Sequence, residues 1–141
     1  MEVAGFPNYL IFRNGAILSK GFGKNNPNPR FLKQRTHHQG YTIVTLFKEG
    51  KQYSGRRVHR LMAETFLRNP QNKSCVDHIN RIRHDNRLCN LRWATHSENN
   101  HNKGIRSDNK TGIIGLSWDK SRNRWRYKGK RYKTIEEIDI V

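Results

Sequence analysis

Hydrophobic and polar positions change period along this chain, and the changes mark its segments. Up to about residue 57 the apolar residues come in short runs separated by turn signals. Tyr9-Leu10-Ile11-Phe12 predicts a strand, and Asn14-Gly15 predicts a turn after it. Gly21 to Arg30, rich in Gly, Asn and Pro, predicts a loop. Tyr41 to Phe47 is β-branched and aromatic and predicts a strand, turned by Glu49-Gly50-Lys51 into a return strand at Gln52-Tyr53. From 58 to 67 the period becomes helical. Val58, Leu61, Met62, Thr65 and Phe66 fall on one face, and Asn69-Pro70 stops the helix. Residues 75–103 then read strand (Cys75 to Ile79), polar Arg-rich loop (Asn80 to Arg87), a second short extended segment (Leu88 to Trp93) and helix. Thr95 with Glu98 forms a T-x-x-E capping box, and the helix it starts carries Asn99, Asn100 and Lys103. After a loop from Gly104, Ile113 to Trp118 and Arg124 to Tyr127 predict two strands, and Glu136 is where a further helix would begin. Val76, Ile79, Leu91 and Trp93 are the expected core of the central hairpin.

With 141 residues, 33% hydrophobic content and a mean hydropathy of −0.99, two or three small modules are expected rather than one large core. The formal net charge is +17, from 28 basic and 11 acidic side chains. Such a surplus calls for a polyanion, bound with release of the counterions around a phosphate backbone. The excess is uneven. Residues 1–60 carry +9, residues 61–103 only +3, and residues 104–141 +5. The flanks are therefore expected to hold nucleic acid and the middle to hold the chemistry. Cys75 and Cys89 are too few for a four-cysteine zinc site and no CxxC pair occurs; a disulfide is compatible with the sequence, but both are expected as small apolar fillers in a reducing cytoplasm. The N-terminus lacks the pattern of a signal peptide, and no stretch is long enough for a membrane span.

Asp77 and His78 end the first strand of the central segment, with Asn90 and Asn99 downstream. Asp is an oxygen ligand for a hard divalent cation. Neutral His is a general base for water near pH 7. Asn in the first turn of a capped helix offers an amide oxygen beside a helix N-terminus that favours phosphate. Adjacent strand residues point to opposite faces, so Asp77 and His78 reach one site only if the strand end is frayed. These parts suit metal-assisted hydrolysis of a phosphodiester, although Asp-His pairs also arise by chance and Asn-rich stretches are often plain loops.

The ordered set V-D-H-I-N-x(4)-D-N-R-x(2)-N-L-R-W-x-T-x(2)-E-N, led by V-H-R-L-M-A-E-T-F at Val58 to Phe66, resembles the HNH endonucleases, especially the phage and intron-encoded homing type. The resemblance runs from about 56 to 103. It implies an α+β fold, a ββα-metal (His-Me finger) module flanked by small basic β-rich segments. It implies that Asp77 binds a metal, that His78 activates water, that Asn90 fixes the His78 ring through its side-chain oxygen, and that Asn99 is the second protein ligand. With an amide at Asn99 and Lys103 one turn on, where zinc-preferring relatives place a further His, one Mg2+ or Mn2+ is expected rather than Zn2+. His96 and His101 are alternative ligands nearby, away from the matching positions. His59 is expected to pack or hydrogen-bond in the lead-in helix. Arg57, Arg60, Arg81, Arg83, Arg87 and Lys103 are candidate DNA contacts.

The stretch 1–57 is similar to the small modular domain found before HNH motifs and is expected to grip DNA. The stretch 104–141 is similar to the start of an AP2-type DNA-binding domain, with Trp118, Arg122, Arg124, Trp125 and Arg126 interleaving basic and aromatic residues. A full domain of that kind continues with a third strand and a long helix, whereas this sequence stops at Val141. The expectation is thus three modules, 1–57, 58–103 and 104–141, in a monomer acting on double-stranded DNA in the cytoplasm, a bacterial host's if phage-encoded. One active site most simply nicks one strand. The alternatives are a non-catalytic DNA- or RNA-binding protein on the same scaffold and, more remotely, an accessory nuclease of phage DNA packaging; the complete set Asp77, His78, Asn90 and Asn99 separates the enzyme from a pure binding protein.

Overall fold

The computed structural model describes residues 1–138. The chain divides into two compact units between Asn102 and Lys103.

The first unit opens with four antiparallel strands paired in chain order: β1 (Glu2–Val3), β2 (Phe6–Ile11), β3 (Ile17–Ser19) and β4 (Arg30–Phe31). A second sheet pairs β5 (Arg35–Thr36), β6 (Thr42–Lys48) and β7 (Lys51–Arg57). In β6 alternate residues Val44 and Leu46 point inward, as a half-buried strand requires. Glu49 and Gly50, with φ of 51° and 76°, make the tight turn into β7. Helix α1 (Val58–Phe66) follows directly and buries Val58, Leu61, Met62 and Ala63. Asn69 closes the loop after it, exchanging two 2.8 Å hydrogen bonds with the backbone of Lys73.

The central hairpin pairs β8 (Cys75–His78) with β9 (Leu91–Ala94), register Asp77 opposite Arg92 and His78 opposite Leu91. A single 3-10 turn, Leu88–Asn90, leads into β9 where the sequence suggested continuous extension. Helix α2 (His96–His101) starts with the expected capping box: Thr95 Oγ1 accepts from the Glu98 amide at 3.2 Å, and Glu98 accepts from the Thr95 amide at 2.7 Å. It ends at His101 and does not carry Lys103, which opens the second unit.

One hydrophobic core serves the whole first unit. Ile11 and Ile17 of the first sheet, Leu46 of the second, Leu61 and Met62 of α1, and Val76 and Leu91 of the hairpin belong to it. It runs across residue 57, where the sequence reading set a module boundary, because a hairpin of four residues a side cannot cover its own apolar face. Tyr9 links the two sheets: its hydroxyl accepts from the Phe47 amide at 2.9 Å. Within the hairpin, Ile79 is 45% exposed rather than core, and Trp93 is half-buried with its indole N–H donating to the Leu67 carbonyl. The cysteines are free and are not buried fillers. Cys89 is exposed, and Cys75 lies 3.3 Å from His96 Nδ1.

The second unit holds the sheet β10 (Ser117–Asp119), β11 (Arg124–Tyr127) and β12 (Lys130–Tyr132) over a small core of Leu116, Tyr127 and Ile138. The third strand, absent from the sequence reading, is present. The strand expected from Ile113 begins only at Ser117. Asn109 and Thr111 side chains capture the preceding backbone, and Gly112 and Gly115 take positive φ, so that stretch turns instead of extending. Glu136 lies in a turn, and the residues beyond 138, where the helix was expected to continue, lie outside the described ones.

His59 of α1 is buried among these elements, and its Nδ1 has no hydrogen-bond partner among the described residues. Burial, with the nearby His78, Arg57 and Arg60, holds its pKa down at about 3. The ring is therefore neutral in the fold, and the unfolded chain takes up the proton first as pH falls below about 6.5.

Leu61→Ala should cost about 2–5 kcal/mol by urea unfolding, as expected for a fully buried leucine. Wild-type stability should fall by roughly 1 kcal/mol per pH unit as pH drops from 6.5 towards 4, beyond any fall shared with His59→Phe, which should lack this part. Urea midpoints of both proteins across that range test this, and parallel curves would show that His59 is not held neutral.

Candidate active site

The site is built where β8 ends. Asp77 and His78 are each 5% exposed. Both stay in the paired strand, so their side chains acquire separate partners rather than converging at a frayed end.

Asp77 faces the helix side. Its Oδ2 accepts from Arg92 Nε at 3.0 Å and Nη2 at 2.8 Å, the cross-strand pair that the register dictates. Asn102, the C-cap of α2, donates through Nδ2 to both carboxylate oxygens, at 2.9 and 3.0 Å, and to the His78 carbonyl at 2.9 Å. Asn102 was not among the sequence-predicted residues. Its signal was only its place three residues after Asn99, on the same helix face. Asn99 itself is half-buried, and its side chain makes no protein hydrogen bond among the described residues.

His78 faces the other way. Its Nε2 lies 3.0 Å from Asn86 Oδ1, in a buried contact. A carbonyl oxygen only accepts, so Nε2 is the donor in this contact. The His59 ring sits 4.9 Å from the His78 ring and the Tyr41 ring 6.1 Å from it, centroid to centroid. The sequence reading gave Asn90 the bond to His78; the structure gives it to Asn86. Asn90 is spent on the loop. Its Oδ1 accepts from the Asn80 amide, and its Nδ2 donates to Asn80 Oδ1 and the Asp85 carbonyl, all at 2.9 Å. Asn86 stands in the D-N-R of the motif, so the residue was visible but its direction was not. It is 6% exposed and backed by Gly15, where an added Cβ would come within 3.2 Å of the Asn86 Cβ. Leu88, two residues on, donates to the Arg13 carbonyl at 2.9 Å. The turn at Asn14-Gly15 thus supports the loop that aims His78.

The basic residues sort by what already occupies them. Arg87 is bidentate on Asp85, both bonds 2.8 Å, and this pairing pushes the Asp85 carboxyl far below the usual range. Arg60 donates to the Ser74 carbonyl and lies over Trp93. Arg81 is exposed in a left-handed turn, φ 66°. Arg57 and Arg83 both lie over the Tyr41 ring.

In the second unit the pleat separates what the sequence interleaves. Trp118, Trp125 and Tyr132 are directly opposed across the three strands, as are Ser117, Arg126 and Arg131. Arg124 and Arg126 therefore share the face opposite Trp125. Trp118 packs edge-on to Trp125 at 5.1 Å and stays 41% exposed. Arg122 sits in the β10–β11 turn against Asp119.

The Asp77 carboxylate accepts from Arg92 and Asn102, and no three His, Cys, Asp or Glu side chains cluster among the described residues. A carboxylate is the kind of oxygen ligand that a hard divalent cation takes. No helix of the described residues is long and apolar enough to cross a membrane.

Residues 56–101 match the family model described as HNH endonuclease. An uncharacterised HNH endonuclease of Acanthamoeba polyphaga mimivirus is 35% identical over 94 residues, 65% of this chain and 26% of that protein. The DNA endonuclease I-HmuI of Bacillus phage SP01 is 32% identical over 103 residues, 72% of this chain and 55% of that one. A solved structure of DNA binding and cleavage by the HNH homing endonuclease I-HmuI superposes with a TM-score of 0.61 at 30% identity, over 72% of this chain and 55% of the other. The chain thus spans between a quarter and about half the length of these relatives. Residues 56–101 thus match the HNH endonuclease family, and 72% of the chain is similar in fold to one HNH homing endonuclease.

Proposed function

We propose that the protein is a metal-dependent DNA endonuclease in which His78 is the general base, and that a single copy nicks one strand. The observation that carries this is the buried His78–Asn86 contact, which engages Nε2, fixes the imidazole and leaves Nδ1 to take a proton. His78 Nδ1 takes a proton from water as the water oxygen attacks phosphorus in line. The bond from phosphorus to the 3′ oxygen breaks, the leaving oxygen is protonated from solvent, and the products are a 5′-phosphate and a 3′-hydroxyl. Asp77 and Asn99 would hold one Mg2+ or Mn2+, which when bound neutralises charge on the phosphate and the leaving oxygen. Asn102 ties the Asp77 carboxylate to the His78 carbonyl and so sets their spacing. Arg92 holds Oδ2 and leaves Oδ1 the more open oxygen. Double-stranded DNA is the proposed substrate, from the net charge of +17 and the likeness to a DNA endonuclease.

A supercoiled plasmid should become open circular in Mg2+ or Mn2+ and not in EDTA. His78→Ala should abolish this while DNA binding, read by mobility shift, stays within about twofold. Binding without cutting by the wild type, on several plasmids, would favour the non-catalytic reading. Asn86→Ala should slow nicking by about 10–100-fold with binding unchanged, the range for removing a group that orients a functional imidazole. A rate equal to wild type would remove Asn86 from the mechanism.

A further inference from the structure

Near His78, two cations that share the Tyr41 ring lack a counter-charge among the described residues. Arg57, at the end of β7, lies 4.6 Å from the Tyr41 ring centroid, and Arg83, in the hairpin loop, lies 5.1 Å from the same centroid. Neither forms a salt bridge among the described residues, whereas Arg87 and Arg92 are each closed on a carboxylate. Both guanidinium groups lean on neutral oxygens of Gln39. Arg57 Nη2 donates to its side-chain Oε1 at 3.2 Å, and Arg83 Nη1 donates to its carbonyl at 2.6 Å. Each fork of five N–H groups therefore keeps most of its donors for another partner. Two like charges on one ring repel. A cation–π contact, worth about 0.5–1 kcal/mol at an exposed site, steadies each guanidinium but does not cancel the charge. An anion between them would.

We propose that Arg57 and Arg83, held on Tyr41 and Gln39, form a preorganised clamp for a backbone phosphate of the strand that His78 cuts, with Tyr41 as its positioning residue. Tyr41 stands 6.1 Å from the His78 ring and 5.0 Å from the His59 ring, so the clamp adjoins the catalytic imidazole. It joins three segments distant in sequence, of which only Arg83 belongs to the hairpin loop. The inference rests on the nucleic-acid reading above and assigns Tyr41 and Gln39 a part in it.

The test is binding of the full chain to a fluorescent 40-base-pair duplex across a salt series, with plasmid nicking alongside. Replacing both arginines (R57Q/R83Q) should reduce the slope of log K against log salt by about 1, the value for one lost phosphate contact. Tyr41→Leu should slow nicking about tenfold at saturating protein, and Tyr41→Phe, which keeps the ring, should restore it. An unchanged slope in R57Q/R83Q, both exposed positions that do not carry the core, overturns the clamp even if the wild type nicks DNA. A reduced slope in a protein whose wild type never cuts keeps the clamp and removes the nuclease reading.

Discussion

A two-stranded hairpin with four residues on each side cannot immobilise two buried polar side chains by itself. That constraint organises the first unit. Val76 and Leu91 fix the hairpin to a core drawn from two sheets and α1, and only then can Asp77 and His78 stay buried at its end. Their polar atoms must find partners there or lose the free energy of solvation. Arg92 and Asn102 meet that demand for Asp77, and Asn86 meets it for His78. His59 is the exception: its Nδ1 has no partner among the described residues and its ring is kept neutral beside that of His78.

The electrostatics follow a division of labour. Arginines that support structure are neutralised locally, Arg87 by Asp85 and Arg92 by Asp77. Arg57 and Arg83 rest on an aromatic ring and amide oxygens and keep their charge outward. The placement of these two cations thus says more than the summed charge of +17.

The sequence was most legible where a local rule acts alone. The capping box at Thr95 and Glu98, the amphipathic face of α1, the turn at Glu49-Gly50 and the strand around Val44 depend on neighbours a few residues away. The family of residues 56–101 was legible because its polar residues are densely ordered. What sequence did not reveal was direction. Asn86 and Asn90 lie four apart, and which one meets His78 depends on the 3-10 turn at Leu88–Asn90 and on the close approach of Gly15 in the β2–β3 turn. The contribution of Asn102 required knowing that α2 ends at His101. Interleaved Trp and Arg at 118–126 read as one surface until pairing assigned alternate residues to opposite faces. The core across residue 57 was hidden because binary patterning shows that a segment has an apolar face without showing whose face it meets.

The contact of Gly15 and Arg13 with the loop around Asn86 bears on how such a module can be inherited. A module whose central loop leans on a turn seventy residues earlier is not freely portable. Transplanted as residues 56–101 alone, it would carry the His78 imidazole but not the surface that supports the loop around it. Recombination that preserves function would therefore tend to cut the chain after Asn102, where the first unit ends, and to move the leading sheets and the hairpin together.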